Sequence, residues 1–173
     1  MMIVRATAKV LTAIRQRPDQ LPTLPPTGDD WYLHLAWLRA RKCLLLTHAD
    51  TLFSVFIPDI RVHDLRPPGP LLVARIHAAL DAADLPTDAL GELDPDTVAL
   101  AKTLDRRVRG VMNDHLYTVE HLLDHHSIGI DPDRPGITAP DTLDLIHRHL
   151  RRTINSPTGY TQPIDAIRAR LTT

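Results

Sequence analysis

Residues Trp31 to Ile57 read WYLHLAWLRARKCLLLTHADTLFSVFI. Three runs rich in aromatic, aliphatic and β-branched residues (WYLHLAWL, KCLLLTH and TLFSVFI) are separated by two short polar breaks, Arg39-Ala40-Arg41 and Ala49-Asp50. Such side chains suit a pleated, half-buried surface, and short breaks between them suit hairpins. The stretch therefore predicts a three-stranded antiparallel meander. Side chains alternate across a strand, so Trp31, Leu33, Leu35 and Trp37 share one face, and Tyr32, His34, Ala36 and Leu38 the other. The second run is apolar on both faces at Leu44 to Leu46, which predicts a strand covered on both sides. Pro58 ends the third run. Five of the seven aromatic residues (Trp31, Tyr32, Trp37, Phe53 and Phe56) fall here, so the meander is the expected nucleus of the core.

Working outward, Ile3 to Ala6 reads as a short strand. Thr7 stands as a helix cap before Val10, Leu11 and Ile14, and Pro18 ends that helix by Arg17. Pro18 to Asp30 is a proline-rich extended connection. Pro70 opens a helix to about Asp84 with Leu72, Ile76, Ala79 and Leu80 inward. An acidic loop follows to Pro95, and the run Thr97 to Ala101, which suits a strand or a helix, is read as a strand because a new cap signal comes at Asp105. The longest helix runs from Arg106 to about His126. Its apolar stripe is Val108, Val111, Met112, Val119, Leu122 and Leu123. Gly110 inside it suggests close packing against a neighbour or a bound group. Ser127 to Ala139 reads as a loop. Pro140 opens a further helix, NSPTGYTQP reads as a polar turn, and Pro163 opens a last short helix. The expected fold is α+β in a single domain over residues 1–173. A small, mainly antiparallel sheet is built on the meander (about 31–57), strands near Ile3 and Thr97 join it, and about five helices pack on it.

Composition bounds the function. The chain has 173 residues, 24% charged and 43% hydrophobic, with 20 Lys plus Arg against 21 Asp plus Glu. That apolar share excludes wholesale disorder. A formal net charge of -1 argues against a generic polyanion binder, which carries a basic excess, but allows a local basic patch. The lone Cys43 cannot form an internal disulfide, and its apolar surroundings predict a buried, inert thiol. Arg5 and Lys9 interrupt the first apolar stretch, so it does not read as a signal peptide, and no apolar run approaches the ~20 residues that span a bilayer. A cytoplasmic, soluble protein without a membrane partner is the expectation.

No G-x-S-x-G, phosphate-loop, G-x-G-x-x-G or paired-cysteine zinc pattern is present, and no cofactor is expected. Four groups of residues carry candidate chemistry. The first is Lys102, Thr103, Arg106, Arg107 and Asn113, with Asp114. If Thr97 to Thr103 is a strand, Lys102 and Thr103 lie at its C-terminal end where the next helix starts, and free N–H groups, a hydroxyl and several cations gather there, which suits a phosphate or carboxylate. The ordinary alternative is a capped helix with solvated basic residues. The second is histidine, of which the chain has ten. His121 and His125 stand at i and i+4, a spacing that can hold a metal from one helix face, but a third ligand at fixed spacing is missing, so no metal site is assigned. His115 and His126 project toward the apolar stripe. The third pairs Arg109 with His115, a cation with a base, in faint likeness to a class of helical ribonucleases; their positions ~120° apart around a helix argue against it. The fourth is basic surface: Arg39, Arg41 and Lys42, then Arg106, Arg107 and Arg109, then HRHLRR at 147–152. Acidic residues gather instead between Asp81 and Asp96.

Several stretches, MIVRATAKVL, DWYLHLAWLRARKCLLLTHADTLFSVFIP, AKTLDRRVRGVMND and NSPTGYTQP, occur in an order that resembles an uncharacterised bacterial family, a domain of unknown function. The family pattern runs R-C-T-K-K-L-L, W-Y-x-x-L-x-W, R-K-C, T-L-x-S, K-T-x-x-R and M-N-D. Ala6 stands where the pattern has its first Cys, and Arg107 and Arg109 stand where it has smaller or apolar residues. The resemblance implies kinship and no activity.

The function expected from the sequence is a small binding or regulatory module for an anionic small molecule or nucleic acid, bound at the strand-to-helix junction. The alternative is an enzyme acting on phosphate-containing substrates, nuclease-like, with Asp114 or His115 in proton transfer. No residue pattern singles out a protein partner.

Overall fold

The structure, a computed structural model, describes residues 1–125, 140–152, 154–156 and 159–172. The alternation of apolar side chains between Trp31 and Ile57 produces three antiparallel strands: β2 (Trp31–Leu38), β3 (Arg41–His48) and β4 (Ser54–Ile57). Trp31 pairs with His48 and Leu38 with Arg41 across the first hairpin; Leu44 pairs with Ile57 across the second. Arg39 and Ala40 form the two-residue turn with φ of 51° and 60°, the left-handed pair that matches the twist of a tight hairpin. Leu44, Leu45 and Leu46 are fully buried because helices cover both faces of β3. Each such side chain contributes roughly 1.5–3 kcal/mol of transfer free energy.

The remaining strands extend this meander into a mixed five-stranded sheet of order β4-β3-β2-β1-β5, where β1 is Met2–Ala6 and β5 is Val98–Lys102. The α+β expectation holds, with one refinement: β1 lies parallel to both neighbours, Val4 facing Trp31 on one side and Leu100 on the other. Parallel neighbours need crossover connections, and helices α1 (Ala8–Ile14) and α2 (Gly69–Asp81) lie within them. Both pack on the sheet face that carries Val4, Leu33, Leu46 and Val55, together with α5 (Pro163–Leu171). The opposite face, with Tyr32, Cys43, Leu45 and Phe56, is covered by α3 (Arg106–His125) and α4 (Pro140–Leu150). Cys43 is buried, as its surroundings suggested.

The departures from expectation are local. The first helix ends before Arg17 as expected, at Ile14, and the departure there is the left-handed cap conformation of Arg15. A small hairpin, β6 (Ile154–Ser156) and β7 (Gly159–Thr161), overlaps the stretch read as a polar turn and takes in Ile154, which the periodicity places on the helix that ends at Leu150. Trp37 shares a strand face with Leu33 and Leu35 but is 63% exposed, with the Lys42 ammonium 5.3 Å from its ring. Gly110 is exposed, and a methyl group added there would meet nothing within 4 Å, so close packing does not explain it. The glycine that packing does require is Gly69, where a Cβ would fall 1.9 Å from the Pro95 carbonyl oxygen. The loop expected at 127–139 lies outside the described residues, as does His126.

Candidate functional site

Strands β1 and β5 run side by side and end together, Ala6 opposite Lys102. The chain leaves β1 into α1 on one face and leaves β5 into α3 on the other. Helices that diverge from adjacent parallel strands open a crevice beyond the strands' carboxyl ends, a recurrent place for ligands in α/β sheets. β2 continues past the end of β1, since Ala6 is paired with Leu33 while β2 runs on to Leu38. His34 therefore stands on the α3 side just beyond the last paired residue of β1.

A cavity of about 170 Å³ occupies this crevice, lined by Thr7, Ala8, Lys9, His34, Arg109, Met112 and Asn113. Thr7 is the residue expected to cap α1. Its backbone is extended and its N–H donates to the Leu33 carbonyl at 3.0 Å, but its hydroxyl makes no capping bond. That hydroxyl is buried and has no hydrogen-bond partner among the described residues. An unpartnered buried hydroxyl costs roughly 1–3 kcal/mol, which a bound acceptor or donor would recover. Lys9 comes from the first turn of α1. Arg109 and Asn113, four residues apart on α3, line the cavity from the other side. Among the described residues neither Lys9 nor Arg109 forms an ion pair, and none that line the cavity is acidic. Burial of His34, and then the charges of Lys9 and Arg109, lower its pKa below the ordinary histidine value, so the ring is neutral at neutral pH.

Of the residues singled out from the sequence, Arg109 and Asn113 line this cavity, while Lys102, Thr103, Arg106 and Arg107 do not. Lys102 and Arg106 are exposed and Thr103 is half-buried. Asp105 caps α3 as expected, its carboxylate accepting the Arg107 N–H at 2.7 Å. The Arg107 guanidinium donates to the Ala49 carbonyl at 2.7 Å and so ties α3 to the β3–β4 turn. Asp114 is exposed on α3. His115 is 7% exposed under the helix, with its Nδ1 unpartnered among the described residues and burial pushing its pKa down to about 4. His121 is exposed and stacks on Tyr117, with ring centroids 6.4 Å apart. The side chain of His125 lies outside the described residues. Among those residues no three His, Cys, Asp or Glu side chains gather as a metal site would require.

The basic segments do not form one surface of free cations. Arg39 donates to the Leu123 carbonyl and reaches Asp124 at 3.3 Å, Arg41 pairs with Asp59 at 2.7 Å, and Arg148 pairs with Asp144. Arg151 donates to the carbonyls of Ala79 and Ala82 at the end of α2. A wider hollow of about 570 Å³ between α4 and α5 is lined by Arg148, Arg151 and Arg152, two of which are engaged in this way. His147, in the same segment, accepts the Phe56 N–H at 3.1 Å and is half-buried.

Reading the sequence alone missed Thr7, Lys9 and His34 as cavity residues. It also missed Arg5, a fully buried cation on β1. Arg5 Nε meets Asp30 at 2.5 Å, and its other nitrogens donate to the carbonyls of Leu24, Pro25 and Lys102. One signal was present. RATAK (5–9) and MND (112–114), both within stretches that carry the family resemblance, contribute residues to the same cavity.

No helix among the described residues is long and apolar enough to cross a membrane. A family model described as Domain of unknown function (DUF6933) matches residues 3–166. No curated protein and no solved structure matches the chain.

Proposed function

Since the chain belongs to the family Domain of unknown function (DUF6933), whose name assigns no activity, we propose a function from its geometry: the protein is a binding module for a small anion, held in the cavity between α1 and α3. The observation that carries this reading is made among the described residues: two cations without ion pairs there, Lys9 and Arg109, meet the unpartnered buried hydroxyl of Thr7, with no carboxylate in the described lining. Two cations from different elements would repel each other without a counter-charge between them. Asn113 supplies both a donor and an acceptor, and Met112 closes the inner wall. At about 170 Å³ the cavity is smaller than the ~300–1,000 Å³ typical of drug-sized ligands, and suits a phosphate or a small carboxylate.

The site thus shifts by one helical turn from the junction expected at Lys102 to Arg107, toward Arg109 and Asn113. Calorimetric titration with inorganic phosphate at low salt tests it. Lys9→Ala and Arg109→Ala should each weaken binding about tenfold or more, the usual weight of a charge-assisted hydrogen bond. Lys102→Ala with Arg106→Ala should leave it within about twofold. Unchanged affinity in the Lys9→Ala/Arg109→Ala double variant, or loss confined to the Lys102→Ala/Arg106→Ala variant, would overturn the assignment.

A further inference from the structure

Two of the three basic side chains around the cavity carry a permanent charge, and the third, His34, does not. Lys9, Arg109 and His34 come from α1, α3 and β2, so they surround the space from three directions. A tetrahedral oxyanion offers oxygens in three directions at once, whereas a planar carboxylate offers two. The charged groups that face His34 are Lys9 and Arg109; its cross-strand partner on β3 is Leu45, and β1 has already ended. In the empty cavity two fixed positive charges oppose a third. A dianion cancels both and removes that opposition; a monoanion cancels one.

We propose that His34 makes this cavity selective for the dianionic phosphoryl group of a small phosphomonoester, by taking up one proton from solvent as the dianion binds. This rests on the anion-site reading above and adds the ligand's charge state and the residue that reads it. The cavity holds the phosphoryl group, and the rest of the ester projects toward solvent. The proton goes to the free ring nitrogen of His34, which changes from a neutral imidazole to an imidazolium paired with the ligand, and no covalent bond changes.

Sulfate is the cleanest probe because it stays a dianion throughout the neutral range, so any proton taken up belongs to the protein. In the full chain, the His34 ring proton followed by NMR should show a titration midpoint that rises by about one pH unit or more with saturating sulfate. Sulfate affinity should climb as pH falls from 7.5 to 5.5, by at most about tenfold per unit, the limit for one linked proton. His34→Gln should still bind sulfate, without that pH dependence. Methyl phosphate should bind about tenfold or more tighter than dimethyl phosphate, the singly charged diester that represents a nucleic-acid backbone. A His34 midpoint unmoved by bound sulfate, a pH slope that survives His34→Gln, or a diester bound as tightly as the monoester would overturn the proposal and leave the anion site standing. Failure of wild-type protein to bind any of these anions would instead overturn the anion site itself.

Discussion

Arg5 and Asp30 show how much one residue pair can organise. Both side chains are about 1% exposed, and Asp30 also accepts the N–H and the hydroxyl of Thr27. The proline-rich connection from Pro18 to Asp30 has few backbone partners of its own, and Arg5 supplies donors to two of its carbonyls. A buried ion pair gains little over an apolar pair, but removing one partner leaves the other charge stranded. Arg5→Met should therefore cost about 3–5 kcal/mol in urea unfolding. A loss below about 1 kcal/mol would mean that the network does not anchor the connection. From the sequence, Arg5 read only as a charge within an apolar stretch. Its role depends on Asp30, Leu24 and Lys102, which only the folded chain brings to it.

Among the elements, α3 carries the site and contains one avoidable weakness. Gly110 has open space where a side chain would project, and it is not among the residues lining the cavity. Gly110→Ala should raise stability by about 1 kcal/mol, because alanine restricts the unfolded chain and favours the helix. Thermal unfolding measures this directly; a lower melting temperature would indicate that Gly110 serves some contact beyond the helix. α4 contributes differently. β4 is an edge strand, and the bond from Phe56 N–H to His147 occupies one of the outward backbone groups that would otherwise invite another chain. The helices and the strands of the main sheet were legible; the β6–β7 hairpin was not. The meander, the strands at Ile3 and Thr97, and helix starts near residues 8, 70, 106, 140 and 163 all follow from local periodicity, prolines and caps. The pairing partners of β1 were not, because nothing in five residues states which strands will flank them.

For the whole molecule, the ten histidines matter more through burial than through metal spacing. His48 and His115 are buried and His147 is half-buried, and desolvation is the first cause that lowers each pKa to about 4. In the unfolded chain these groups take up protons near the ordinary value of ~6.5. Between about pH 6.5 and pH 4 the unfolded state therefore binds more protons than the folded one, and stability falls as pH falls. Each histidine contributes at most about 1.4 kcal/mol per pH unit in that window, and none above it. The urea midpoint should be flat from pH 8 to 7 and drop steeply below pH 6. His115→Met should remove about a third of the slope, and a midpoint independent of pH from 7 to 4.5 would refute the shared burial effect. What the sequence determined by itself was the five strands of the main sheet, the five described α-helices and the two-sided burial of β3, because side-chain periodicity and turn chemistry act over a few residues. What only the tertiary structure decided was the parallel flanking of β1. That arrangement sends α1 and α3 to opposite faces and brings Thr7 and Lys9 to Arg109 and Asn113, some hundred residues away along the chain. Charge and hydrogen bonding act through space, so a site built on such a crossing leaves no spacing in the sequence by which to find it.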